Sequence, residues 1–97
     1  MESEAAEKAP PTPQHTIAYK PSAAKAFKHI HKDNQVRIKD AIEDLASNPR
    51  PLGAILLVGG GGARRIRVGD YRVIYEIADT ELIVLVIKIG HRRDIYN

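Results

Sequence analysis

The spacing of apolar side chains changes at a run of four glycines, Gly59, Gly60, Gly61 and Gly62, and this change restricts the chain to a mixed fold. Before the run the spacing is helical. Ala23, Ala24, Phe27 and Ile30 fall on one stripe of a helix over 22–30. Ile38, Ala41, Ile42 and Leu45 repeat at i, i+3, i+4 and i+7, with Arg37, Lys39, Asp40, Glu43 and Asp44 on the other face. After the run the period is two. Residues 64–68, 71–78 and 82–90 read as three strands, joined by tight turns at Gly69-Asp70 and Asp79-Thr80.

The remaining elements complete an α+β fold. Residues 15–20 form a short strand candidate. Pro21 cannot donate to a sheet and suits the first turn of a helix. Asp33 or Asn34 is the expected cap of the second helix, which Asn48-Pro49 and Pro51 end. The predicted order is β-α-α-β-β-β, a helical hairpin over 22–47 packed on a twisted antiparallel sheet. Residues 50–63 are expected to be a connector without a strand. Its glycines are expected to form a flexible loop, because no Lys-Ser/Thr pair and no helix follow them.

Composition bounds the chemistry. A chain of 97 residues fits one domain, here expected over 15–97. The absence of cysteine removes disulfides, zinc–thiolate centres and thiol catalysis, and fits a reducing, cytoplasmic compartment. The longest apolar run, over 82–87, is too short to span a membrane. Residues 1–14 are rich in Ala, Glu and Pro and lack the apolar stretch of a signal peptide, so a disordered extension is expected there. That segment sets Glu2, Glu4 and Glu7 against Lys8. Without it the net charge rises from +3 to +5, with 14 basic and 9 acidic side chains. The foldable part therefore has a bias toward polyanions.

The meander decides where these charges go. A two-residue loop at Gly69-Asp70 sets Arg67 opposite Arg72 and Arg65 opposite Ile74, with all three arginines on one face. Ile66, Val68, Tyr71, Val73 and Tyr75 take the other. A two-residue loop at Asp79-Thr80 would set Arg72 beside Ile87, with Ile89 and His91 continuing along the arginine face. Like charges directly opposite one another destabilise a sheet, and an anion reverses the sign of that effect. The alternative is a solvated face with Asp70, Glu76 or Asp94 as counter-ions. His29 and His31, two apart, do not share a helical face and are expected at the surface. His15 is expected to be structural or exposed. No Ser-His-Asp or paired-carboxylate arrangement is visible, and no cofactor or metal is expected. His91 and Tyr96 come to the end where the arginines gather, and both can stack on a base or exchange protons.

The run RRIRVGDYRVIYEI (64–77) and the ending GHRRDIY (90–96), after a helical hairpin closing in SNPRPLG (47–53), resemble the RelE/ParE superfamily of toxins. The likeness covers 15–97 and is nearest to the RelE branch. It implies a small α/β layer fold and a ribosome-dependent endoribonuclease that cuts mRNA and arrests translation. It also implies a cognate RelB-like antitoxin laid across the basic face or the helical hairpin, with the ribosome and mRNA as further partners and no membrane. Carried over by motif, the basic pair falls on Arg65 and Arg67. Arg72 would hold the scissile phosphate, Arg92 would stand near the leaving group, Tyr96 would stack on the attacked nucleotide, and His91 or Tyr96 would assist proton transfer. Arg64, Lys88 and Arg93 would add RNA and phosphate contacts. RelE itself has lysines where this chain has Arg65 and Arg67, and arginine does not give up a proton. The general base stays open. So do two alternatives, a ParE-like gyrase inhibitor and an inactive toxin-like binding module.

Overall fold

Each element forms where its residues allow, and a computed structural model describes them over residues 14–94. Strand β1 (Thr16–Tyr19) leads into α1 (Pro21–Lys28), with Pro21 in its first turn. Helix α2 spans Lys32–Asp44. Four more strands follow: β2 (Ile55–Leu56), β3 (Arg64–Val68), β4 (Tyr71–Ala78) and β5 (Ile83–His91). They form one five-stranded sheet of order β1-β5-β4-β3-β2. The extension expected over 1–14 falls outside the described residues, apart from Gln14.

The layer of two helices on a sheet matches the predicted architecture, and four details correct it. The sheet is mixed, since β1 runs parallel to β5, with Thr16 beside Ile83 and Tyr19 beside Val86. Parallel neighbours need a long crossover, and everything between the two strands supplies it. The connector holds a strand after all, β2, which pairs Ile55 with Arg65 and Leu56 with Arg64. Two residues are too few to show alternation. His31, rather than Asp33 or Asn34, caps α2, its Nδ1 accepting the Asp33 N–H at 3.3 Å.

The fourth correction bears on the site. The β3–β4 register is the expected one, with Arg67 facing Arg72 and Arg65 facing Ile74. The β4–β5 register is not. Ala78 pairs with Ile83, so the turn has four residues, and Leu82 takes a left-handed φ of 56°. That moves the register by two and preserves the faces. A bulge between Ile74 and Tyr75 moves it by one more and exchanges them. Arg72 therefore faces Gly90 instead of Ile87, and Ile74 faces Lys88. Ile89 joins the core opposite Val73, and His91 stands opposite Tyr71 rather than in the arginine row.

The core lies between the helices and one sheet face. Ala23, Ile38, Ile42 and Leu45 pack against Ile66, Val73, Tyr75, Val84, Val86 and Ile89. On the opposite face a smaller cluster joins Ala63 and Ile74 to Leu57 and Ile87. The β3–β4 turn depends on Gly69, whose φ is +61°; a Cβ there would meet Arg37 Nη2 at 3.1 Å. Gly69→Ala is expected to cost about 1–2 kcal/mol from the left-handed backbone alone, read as a shift in the urea midpoint.

A second tie closes the far end of the sheet. Asp79 Oδ2 accepts from Arg50 Nη2 at 2.7 Å, and Asp79 Oδ1 lies 3.3 Å from His15 Nε2. His15 is thus structural, its side chain 9% exposed. The hydrogen bond from Arg50, then that from His15, hold the Asp79 carboxyl below the usual carboxylate range. A carboxyl depressed in the folded state binds protons more readily once unfolded. Its contribution is present above the ordinary carboxylate pKa and is lost as pH falls through the depressed value. Urea midpoints should fall between about pH 5 and about pH 3, and less steeply for Asp79→Asn.

Candidate nucleic-acid interface

The sheet face away from the helices carries the cations. Strand alternation sends Arg65 and Arg67 of β3 to this face and Arg72 of β4 beside them, with Arg67 and Arg72 directly opposite. Lys88 of β5 stands next to Ile74 on the same face. Arg65 is only 8% exposed. Its Nε and that of Arg72 are buried without a hydrogen-bond partner among the described residues. Burial first, then the charges of Arg72 and Arg67, push the Arg65 guanidinium below its ordinary value. It stays protonated at neutral pH, being an arginine.

Among the described residues, no carboxylate forms an ion pair with Arg65, Arg67 or Arg72. Of the counter-ions the sequence offered, Asp70 turns elsewhere. Its Oδ1 lies 3.9 Å from Arg92 Nε, and its carbonyl accepts the Arg92 N–H at 2.8 Å. Three guanidiniums held in register without a carboxylate cost stability, some tenths of a kcal/mol per facing pair. They also offer planar forks of donors matched to phosphate oxygens.

Arg92 and His91 are fixed at the end of the sheet where β4 begins. The Asp70–Arg92 backbone bond fastens the segment after β5 to the β3–β4 turn. The His91 ring packs edge-on against Tyr71, centroids 5.6 Å apart at 80°. Its Nδ1 accepts the Arg93 N–H at 3.1 Å, which leaves the proton of the neutral ring on Nε2. His91 thus presents a donor at Nε2. Arg93 is exposed. Arg64 is not brought to the row, since it faces Tyr75 on the helix side of the sheet. Tyr96 lies outside the described residues.

One cation was missed from the sequence. Arg37 of α2 brings its guanidinium against the Gly69 turn, at the tip of the hairpin bearing Arg67 and Arg72. Counted along the chain it belongs to the polar face of an amphipathic helix, and only the packing of that helix on the hairpin reveals its place. Among the described residues no three His, Asp or Glu side chains gather as a metal site, and no helix is long and apolar enough to cross a membrane.

Comparison with known proteins bears on this geometry. The family model for the ParE toxin of type II toxin–antitoxin systems matches residues 17–96. Toxin RelG of Mycobacterium tuberculosis is 34% identical over 59 residues, spanning 61% of this chain and 68% of that protein. A chain of the archaeal RelE–RelB complex from Pyrococcus horikoshii superposes with a TM-score of 0.72 at 26% identity, covering 81% of this chain and 96% of that one. A chain of the E. coli RelBE toxin–antitoxin complex superposes with a TM-score of 0.72 at 20% identity, over 79% of this chain and 95% of the other, and shares the fold.

Proposed function

The chain belongs to the RelE/ParE superfamily of type II toxin–antitoxin toxins, and from that premise we propose that it is a ribosome-dependent endoribonuclease that cuts mRNA in the cytoplasm. The observation that carries this reading is the row of Arg65, Arg67 and Arg72, in register on one sheet face and without a carboxylate partner among the described residues.

The reaction is an internal displacement. The 2′-oxygen attacks the adjacent phosphorus, the bond to the 5′-oxygen breaks, and a 2′,3′-cyclic phosphate remains. The proton of the 2′-hydroxyl is lost, and the departing 5′-oxygen gains one. Arg72, flanked by Arg67 and Arg65, takes up the charge that grows on the phosphoryl oxygens. Arg92 neutralises the 5′-oxygen, and His91 Nε2–H, or Tyr96, gives it a proton. Arg65 and Arg67 hold their protons too firmly to act as bases. Much of the barrier is therefore met by in-line placement, and the ribosome supplies it by holding the message. Lys88 and Arg93 extend phosphate contact along the strand. Arg64 faces the helix side and has the weakest part in that set.

The solved neighbours include RelE–RelB complexes, and a RelB-like antitoxin is the proposed partner here. An acidic, partly disordered antitoxin would satisfy arginines that the folded toxin leaves without carboxylate partners among the described residues.

A second reading also has an observation behind it, since the matching family model is that of ParE toxins. On it the chain would inhibit DNA gyrase without cutting RNA. Adding the protein to a translating extract and to a gyrase supercoiling reaction separates the two. Cut message with normal supercoiling is the expected result. Intact message with blocked supercoiling selects the gyrase reading, and no effect in either selects an inactive binding module.

A further inference from the structure

Strand β2 and its neighbours form the least guarded part of the surface. Residues 51–63 carry no charged side chain and no hydrogen-bonding side chain. Within them Leu52 and Val58 stand fully exposed, and Ile55 and Leu56 are about half exposed. β2 is also the last strand of the sheet, paired on one side only, with β3. Edges that must stay free are blunted by lysine, proline or other charged residues. Residues 52–58 contain none of these.

Three observations identify the partner. The first is charge. RNA and an acidic antitoxin are both anionic, and a stretch without a cation or a donor side chain gives neither any electrostatic match. An uncharged, apolar strand is the complement, and this chain carries one. The second is the backbone. The Leu57 N–H donates to the Ala63 carbonyl at 2.9 Å, toward β3. Alternation then turns the N–H and C=O of Leu56 to the free edge. Set antiparallel against Leu56 of a second copy, the two residues exchange both hydrogen bonds. Ile55 then faces Leu57 of the other copy, apolar against apolar. The third is the placing of the arginines. A two-fold axis perpendicular to the sheet keeps both arginine rows on one face. It also leaves the two β3 strands three strand spacings apart, about 14 Å. That exceeds the screening length of about 8 Å at physiological salt, so the rows scarcely repel. Such a self-matched contact uses the edge in both copies and stops there.

We propose that β2 seats a second copy of this chain, with Leu56 at the two-fold axis. The pairing joins two five-stranded sheets into one of ten strands, with all the helices on one face and both arginine rows on the other. It holds whichever activity the toxin has, since no residue of the arginine row takes part in it.

The test is sedimentation velocity of the full chain, treated with ribonuclease, over about 1–100 µM, the range in which a small interface half-assembles. A monomer giving way to a dimer, and to nothing larger, is expected. Leu56→Lys is expected to weaken the dimer about 10-fold or more by setting two like charges at the axis. Val58→Lys, at a fully exposed position, is expected to weaken it less and guards against a folding defect at 56. Cross-linking then tests the register. The chain has no cysteine, so each introduced thiol is unique. Two Leu56→Cys chains bring their Cα atoms about 5.5 Å apart, inside the range a disulfide bridges. Two Val58→Cys chains stay about 13 Å apart along the strand, outside it. Random collision would favour position 58, the more exposed of the two, so faster oxidation at 56 marks the dimer. Faster oxidation at 58 would overturn the proposal. So would a dimer indifferent to Leu56→Lys, open-ended growth beyond two copies, or an association that ribonuclease abolishes. A chain monomeric throughout would overturn it too, and leave the edge to a different protein such as the antitoxin.

Discussion

Arg72→Ala is expected to lower the rate of message cleavage by about 10²–10³-fold, the usual cost of removing one donor aimed at a developing oxyanion. The same change should leave the fold intact and even slightly firmer. Arg72 stands opposite Arg67 and neither forms an ion pair with a carboxylate among the described residues, so its removal relieves a like-charge pair worth some tenths of a kcal/mol. Its Nε is also buried without a partner, and truncation removes that cost as well. Activity and stability should thus move in opposite directions. Paired measurements of cleavage rate and urea midpoint check this. A substitution that reduced both together would indicate a structural arginine, and one that changed neither would remove Arg72 from the site.

Tyr75 gives the largest expected effect on folding. It is fully buried at the centre of the core, and its hydroxyl donates to the Pro49 carbonyl at 2.7 Å. It thereby joins β4 to the connector that leaves α2. Tyr75→Ala is expected to cost about 3–5 kcal/mol, the range for emptying a large buried ring. Domains hold only about 5–15 kcal/mol in total, so this variant should be largely unfolded at modest denaturant. Tyr75→Phe keeps the ring and loses the hydrogen bond, and is expected to cost about 1–2 kcal/mol. Burial raises the Tyr75 phenol above its ordinary value, against the smaller pulls of Arg64 and Arg50. The neutral form is therefore the folded one, and stability should decline as pH rises past about 10. Denaturant melts of the two variants side by side separate packing from the hydrogen bond.

Much of this molecule was legible in the order of its residues, for reasons that can be named. The stripe containing Ile38, Ile42 and Leu45 had to be buried, and it is. Gly69-Asp70 permits a two-residue turn, and the facing pair of Arg67 and Arg72 follows from it. The other turn was not legible in the same way. Asp79-Thr80 has the chemistry of a tight loop, yet the chain spends four residues there with Leu82 in a left-handed conformation. The bulge between Ile74 and Tyr75 leaves no mark in a period of two. A single extra residue on β5 was enough to send Ile89 into the core and His91 beside Tyr71. The parallel pairing of β1 with β5 joins residues more than sixty positions apart, beyond the reach of local patterns. Arg37 was hidden for the same reason, since its place against the Gly69 turn follows from how α2 packs on the hairpin.

The central claim is that the basic sheet face cuts RNA only when the ribosome has positioned it. The most direct measurement supplies one message in two forms, naked and on translating ribosomes, and reads the 3′ termini of the fragments after adding the toxin. Fragments ending in 2′,3′-cyclic phosphate from the ribosomal sample, with the naked message intact, are the predicted result. Equal cutting of both, or termini without the cyclic phosphate, would contradict it.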